Sequence, residues 1–405
     1  MTRDKSSLMR GARSLSAVVS FSLIMVTLGV TLPPRPTQAD APPPPPSSPP
    51  SSPPSGTSAP AAPLARIHAV GRWPEGVVAS GGALWVAESG ARRVSRYSLE
   101  GERLEQYKVG RLPVDLLARP NGEVWVSVVT DQVVKRLSAR RKLARKVART
   151  QEYAEAIGAD AEHLYALVWP SGSSATSRLM RHHLATGAAH LSADVGPNAM
   201  SLTLTEGVAW VGLEGALVAV HTRTLAPTLR LTVSPTERVL ESAAYGERVY
   251  VGVLDMSRRA SALALLSAEG ARGEGAVAGE GRAGEGGAIQ ERALGSVALA
   301  TLPLTEPISA IAAWDDLVAV SLRSGALLTL HPLTLRVSQR WTAEALGVKE
   351  GARGIARAGG RLWLTTHAGE GGLLVEVPLE ERAPVSEPVG ALGEGVEAAP
   401  PPPPR

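Results

Sequence analysis

WPEGVVASGGALWVAESGARRVSRYSLEG, residues 73–101, is the stretch whose reading decides the fold. A Trp-Pro turn opens it, and the small-residue segment GVVAS follows. A Gly-Gly pair then turns the chain into ALWVAES, and a loop leads to the alternating segment RVSRYSL. Short apolar runs of period two, punctuated by Gly and Pro, are strands joined by tight turns. The stretch therefore predicts an antiparallel sheet.

The same arrangement recurs along the chain. Trp85, Trp125, Tyr165, Trp210, Tyr250, Val318 and Trp363 occupy equivalent positions, at intervals of 40, 40, 45, 40, 68 and 45 residues. Seven copies at this period predict an all-β, seven-bladed β-propeller with four-stranded blades. Small residues precede five of the anchors, as in Val77-Val78-Ala79 and Gly354-Ile355-Ala356. They suit innermost strands crowded around an axis, whereas the anchors suit the wider gaps between blades. The long interval contains EGARGEGAVAGEGRAGEGGAIQERA, residues 269–293, an aperiodic insertion expected as a disordered loop between the outer strands of the fifth repeat. The seventh repeat lacks a fourth strand, and LARIHAVG at 64–71 supplies one. Residues 65–71 are thus expected to join the last blade and close the ring.

The propeller is expected to span residues 64–382. Ahead of it, a basic segment and an apolar run from Ala17 to Leu32 read as a signal peptide over 1–39, or as an N-terminal anchor. Residues 40–63 are a Pro/Ser-rich linker, and 383–405 a Pro-rich tail expected to lack a fold. Export, to the cell envelope or beyond, is the expectation. Without cysteine there is no disulfide, zinc-thiolate site or thiol nucleophile, and the formal charge of +4 is small for 405 residues.

Ala83-Leu84-Trp85-Val86-Ala87-Glu88 through Tyr97, and Pro120-Asn121-Gly122-Glu123-Val124-Trp125-Val126, resemble the repeats of the NHL, YVTN and streptogramin-lyase-like propellers. A group of lactonase propellers is more distantly similar. The resemblance implies a propeller over about residues 64–380. For the lyases it implies a histidine base beside a carboxylate-bound magnesium. For the lactonases it implies a divalent metal held by carboxylates and an asparagine. His367, just beyond the seventh anchor, and Glu88, just beyond the first, are the catalytic candidates, although no matching motif surrounds either.

The repeats also align a face. Glu75, Asp115, Glu155, Asn198, Glu241, Ser309 and Arg353 stand at the inner-strand entrances, and four of the seven are acidic. Such oxygens can hold calcium, magnesium or a basic ligand, or simply line a wet channel mouth. Asp115, Glu155, Asn198 and Glu241 are the candidate metal ligands. The second-strand loops add Asp131, Glu214, Asp255, Arg92 and Arg93, and the turns add Trp73 and Trp169, which can serve as platforms or as blade covers.

The run KRLSARRKLARKVAR, Lys135 to Arg149, has eight Lys or Arg and no acid. It suits protection of an outer strand from edge association, or docking to an anionic cell-envelope polymer or lipid headgroup. Without aromatic platforms beside it, nucleic acid is not an expected partner. The chain is expected to be a monomer that binds a partner or small ligand on the acidic channel face. The alternative is a calcium- or magnesium-dependent lyase or lactonase at the channel mouth.

Overall fold

The computed structural model describes residues 65–150, 152–169, 176–271 and 289–379. The expected signal segment, linker, Pro-rich tail and most of the insertion lie outside them. Seven antiparallel sheets follow one another along the chain. The first blade is built from Pro74–Ser80, Ala83–Glu88, Arg93–Tyr97 and Arg103–Lys108. The inner strands of the other six are Pro113–Ala118, Tyr153–Ala159, Ser201–Thr205, Glu237–Tyr245, Ile308–Ala313 and Gly354–Ala358. The protein is a seven-bladed β-propeller.

All seven anchor side chains are buried in the hydrophobic clusters between blades. Three tryptophans also tie down their own hairpins. The indole N–H of Trp85 donates to the Ser80 carbonyl at 3.2 Å, that of Trp210 to Thr205 Oγ1 at 3.0 Å, and that of Trp363 to the Ala358 carbonyl at 3.3 Å. In each case the acceptor stands five residues upstream, so one side chain fills the gap and fixes the turn. Near the axis the constraint is reversed. A Cβ on Gly354 would stand 2.8 Å from the Val77 nitrogen, so blades seven and one approach closely there because no side chain intervenes.

Arg66–Val70 completes blade seven, as the sequence predicts. It pairs antiparallel with Gly371–Pro378, Arg66 opposite Glu376 and Val70 opposite Gly372. Two buried carboxylates hold it. Glu376 receives Arg361 at 2.9 Å and lies 3.4 Å from His68 of the closing strand. On the blade-one side, Glu88 accepts the Gly71 N–H at 2.9 Å and the Tyr97 hydroxyl at 2.8 Å, and pairs with Arg93. The first residue after the closing strand is thus fastened to the neighbouring blade.

The insertion is less irregular than its composition suggests. It does lie between the third and fourth strands of blade five, Ala260–Ser267 and Ala300–Leu304. Its final part, Gln290–Ala293, is nevertheless a strand that pairs parallel with Pro227–Thr232, giving blade four a fifth strand. An open sheet edge offers unpaired N–H and C=O groups to any passing backbone, whatever its side chains. The following Leu294 is buried in the cluster between blades four and five, which fixes the segment there.

Deleting residues 65–71 should leave two sheet edges bare and lower the unfolding free energy of the whole ring in a single cooperative transition. Replacing Glu88 with alanine, which strands Arg93 and the Gly71 N–H, should cost about 3 kcal/mol. Chemical denaturation followed by tryptophan fluorescence measures both; a truncation that unfolds like the intact chain would contradict the closure.

Candidate functional site at the channel mouth

Five inner strands break register where they enter the channel. The irregularities fall at Pro74/Val77, Pro113/Leu116, Ala154/Ala156, Val239/Glu241 and Ile308/Ala310. Each puts one extra residue on the inner strand relative to its partner. A β-bulge of this kind re-aims a side chain and often borders a functional site. The bulged segments include Glu75, Asp115, Glu155 and Ser309, and Glu241 ends the one that starts at Val239.

Electrostatics bring most of this ring together. Burial pushes the Asp115 carboxyl up to about 7, although it accepts the Ile157 N–H at 2.7 Å and a second backbone N–H from Leu116, both of which oppose the rise. Burial pushes Glu155 up to about 7, and the nearby Glu75 carboxylate adds to the rise. Burial pushes Glu241 up to about 8; the charge of Asp115 raises it further, and Arg353 pulls it down. Asp115 and Glu241 stand on blades two and five, so their interaction crosses the channel. Water reaches these side chains along the axis, yet protein surrounds them, which makes them half-buried by exposure and strongly desolvated in effect. Neither Glu155 nor Glu241 has a side-chain hydrogen bond among the described residues.

Glu75 extends the cluster towards blade seven. Its Oε1 lies 3.4 Å from Ser89 Oγ and 3.7 Å from His367 Nε2. That nitrogen is buried and has no hydrogen-bond partner among the described residues. Ser309 instead turns its hydroxyl to the Ser321 carbonyl at 3.1 Å.

The other candidates are placed differently. Asn198 is exposed, with φ at +51°, and its amide donates to Glu214 at 2.8 Å. It belongs to the outer part of the face, while blade four presents Ser201 towards the interior, hydrogen-bonded to Ser242 at 2.9 Å. Glu88 is fully buried and its partners are those of the closure. The remaining loop acids are engaged locally: Asp131 accepts the Arg111 N–H at 3.3 Å, Glu214 pairs with Arg238 at 2.7 Å, and Asp255 accepts the Ser257 N–H at 2.9 Å. Arg92 adopts a left-handed turn conformation. Trp73 is 46% exposed, with the Arg72 guanidinium 5.5 Å from its ring centre. Trp169, half-buried, ends its strand opposite Tyr153.

Glu162, His163 and His183 form the one cluster of metal-ligand type found among the described residues. His183 Nδ1, however, accepts the N–H groups of Ala185 and Thr186, both at 3.2 Å. A cation bound through Nε2 would require the proton on Nδ1, facing those two donors. His221 and His331 cap equivalent turns in the same way. These histidines, like Ser98 and Ser138 in the first two blades, are turn caps.

No family model and no curated protein matches the sequence. Solved structures do. Virginiamycin B lyase from Staphylococcus aureus aligns with a TM-score of 0.53 at 11% identity, covering 77% of this chain and 99% of that one. A streptogramin B lyase gives 0.53 at 12% identity, over 77% and 97%. Hydrazine synthase of Kuenenia stuttgartiensis gives 0.52 at 14% identity, over 64% and 83%. At such identities the likeness is one of architecture: the chain shares the seven-bladed propeller fold of these lyases.

Proposed function

We propose that the channel mouth binds a small cationic ligand, either a hard divalent cation such as calcium or magnesium or an organic amine. The observation that carries this reading is the gathering of carboxyl groups at the mouth, where Asp115 and Glu241 interact across the channel against Arg353, and Glu155 interacts with Glu75. An oxygen-rich set of this kind matches the preference of hard cations. The basic and apolar N-terminal segment supports an exported binding protein. No helix among the described residues is long and apolar enough to cross a membrane.

His367 favours a second reading, a metal-assisted lyase or lactonase. A cation held at the mouth by the Asp115 and Glu241 carboxyl groups would supply Lewis acidity, and His367, beside Glu75, would accept a proton. The names of the similar lyases suggest a probe. Incubation with virginiamycin B should leave its chromatographic retention unchanged if the protein only binds. A shifted product that disappears with His367→Gln would favour the enzyme.

The elevated carboxyl groups set the pH dependence of binding. Near pH 6 all three are largely protonated, and a cation must displace those protons; as pH rises, Asp115 and Glu155 ionise around pH 7 and Glu241 around pH 8. Titration calorimetry with calcium, magnesium and spermidine should therefore show affinity rising at least tenfold from pH 6 to 8.5. The double substitution Asp115→Asn with Glu241→Gln should abolish the rise. Affinity that ignores both pH and the substitutions would place binding elsewhere.

The same groups shape stability. Their folded pKa values exceed the ordinary ones, so between about pH 4.5 and 8 the native state holds protons that the unfolded chain releases. Their contribution is complete below that window and declines as pH rises through it. Glu241→Gln should flatten the decline and raise the melting temperature at pH 8 by about 2 °C or more, as measured by calorimetry.

A further inference from the structure

The outer strand of blade two, Arg141–Arg149, carries a charge pattern that sheet stability does not explain. Arg140, Arg141, Lys142, Arg145, Lys146 and Arg149 are all exposed, and none has an ion-pair partner among the described residues. Across the strand pair, Lys135 stands opposite Lys146 and Arg136 opposite Arg145. Like charges directly opposite one another destabilise a sheet. Lys135 finds relief by donating to the Val109 carbonyl at 2.6 Å, and Arg136 lies 3.9 Å from Glu123. Lys146 and Arg145 have no such relief.

Protection of an edge from aggregation does not call for this arrangement, since a lysine or two would suffice. Other outer strands manage with less: Val337–Trp341 and Arg66–Val70 have one arginine each, and Ala300–Leu304 has no charge. The cations of blade two follow an extended backbone for about 30 Å. On one side the strip is bounded by a shallow groove lined by Leu104, Glu105, Gln106, Tyr107 and Lys142. Glu105 in this groove is half-buried and already engaged, paired with Arg96 at 3.4 Å and accepting the Tyr107 hydroxyl at 2.6 Å.

We propose that this strand is a docking strip for a linear anionic glycan, a polymer with carboxylate, sulfate or phosphate groups repeated along its length. Cations spaced along one extended strand fit a chain that can follow the strand. Successive side chains of a strand point to opposite sides, so a flat lipid surface would reach only one set of these cations. Nucleic acid bases would find no stacking partner, because Tyr107, the aromatic residue of the groove, is 2% exposed. Binding releases counterions and is therefore steeply salt-dependent.

The test uses fluorescein-labelled heparin as the probe, with anisotropy measured on the full chain between about 50 and 200 mM salt. The variant Lys142→Ala, Arg145→Ala, Lys146→Ala should bind at least tenfold more weakly and show a shallower salt dependence. The control Arg66→Ala, Arg336→Ala, Arg340→Ala removes the same charge from other blades and should bind as the wild type does. Equal loss in both variants, or no binding at the lowest salt, overturns the proposal. So does tighter binding to phosphatidylglycerol vesicles or to single-stranded DNA. A second readout is independent of the ligand. Arg145→Glu turns the Arg136 pair into an opposite-charge pair, and should raise the melting temperature by about 1–3 °C while weakening heparin binding. An unchanged or lower melting temperature would remove the premise that the strip is strained.

Discussion

The structure depends on closure of a ring by a strand from the far end of the chain. Seven twisted sheets can surround an axis only if the last is complete and joined to the first, and here both conditions rest on residues 66–71. Pairing with Gly371–Pro378 supplies the missing edge, and Glu88 carries the connection into blade one. Both Glu88 and Glu376 are buried carboxylates surrounded by donors, so each pays its desolvation cost only while the ring stays closed. Closure also fixes the axis, and with it the distance between inner strands. Whatever polar groups enter the channel are then forced into mutual reach, which is why Asp115 of blade two perturbs Glu241 of blade five.

This constraint explains why two populations of acid on one face behave so differently. Asp131, Glu214 and Asp255 lie where the blades diverge, and each has room for a backbone N–H or an arginine. Glu155 and Glu241 lie where the blades converge and small residues leave no space for such partners. A carboxyl group there must hold its proton or find a cation from outside. The bulges sharpen the effect, because each adds a residue at the level where the channel narrows.

Much of the architecture was legible in the sequence because it rests on side-chain volume and turn chemistry, both local. Anchor spacing gave the blade count, and the absent fourth strand after Pro378 pointed to the segment at 65–71. Four acidic positions at the inner-strand entrances were likewise visible from the alignment of repeats. Other features depend on long-range geometry. Asn198 aligned with the ring, yet its left-handed turn carries it outward to Glu214. Glu88 resembled a site residue and is a lock, since its partner Gly71 belongs to the connection from the last blade. The insertion's composition concealed the pairing of Gln290–Ala293, which comes from an open edge on blade four and from no preference of its own residues. The bulges had no sequence signature beyond Gly76.

The small net charge conceals a strong separation. Among the described residues, Glu155 and Glu241 near the axis have no side-chain hydrogen bond, and cations without ion-pair partners gather on the rim of blade two. In both places the fold forgoes local pairing that was within reach: a neutral residue at Glu241 or an acid at Arg145 would relieve it. Sequences tend to break local rules where something other than folding benefits. The two places differ in chemistry and accessibility. As binding sites, a narrow, desolvated mouth would select by size and charge, whereas an exposed strand would select by length and charge density. A protein held by its rim on an anionic polymer would keep its channel mouth clear, because the strip follows the outer edge of a blade and the mouth opens on the axis.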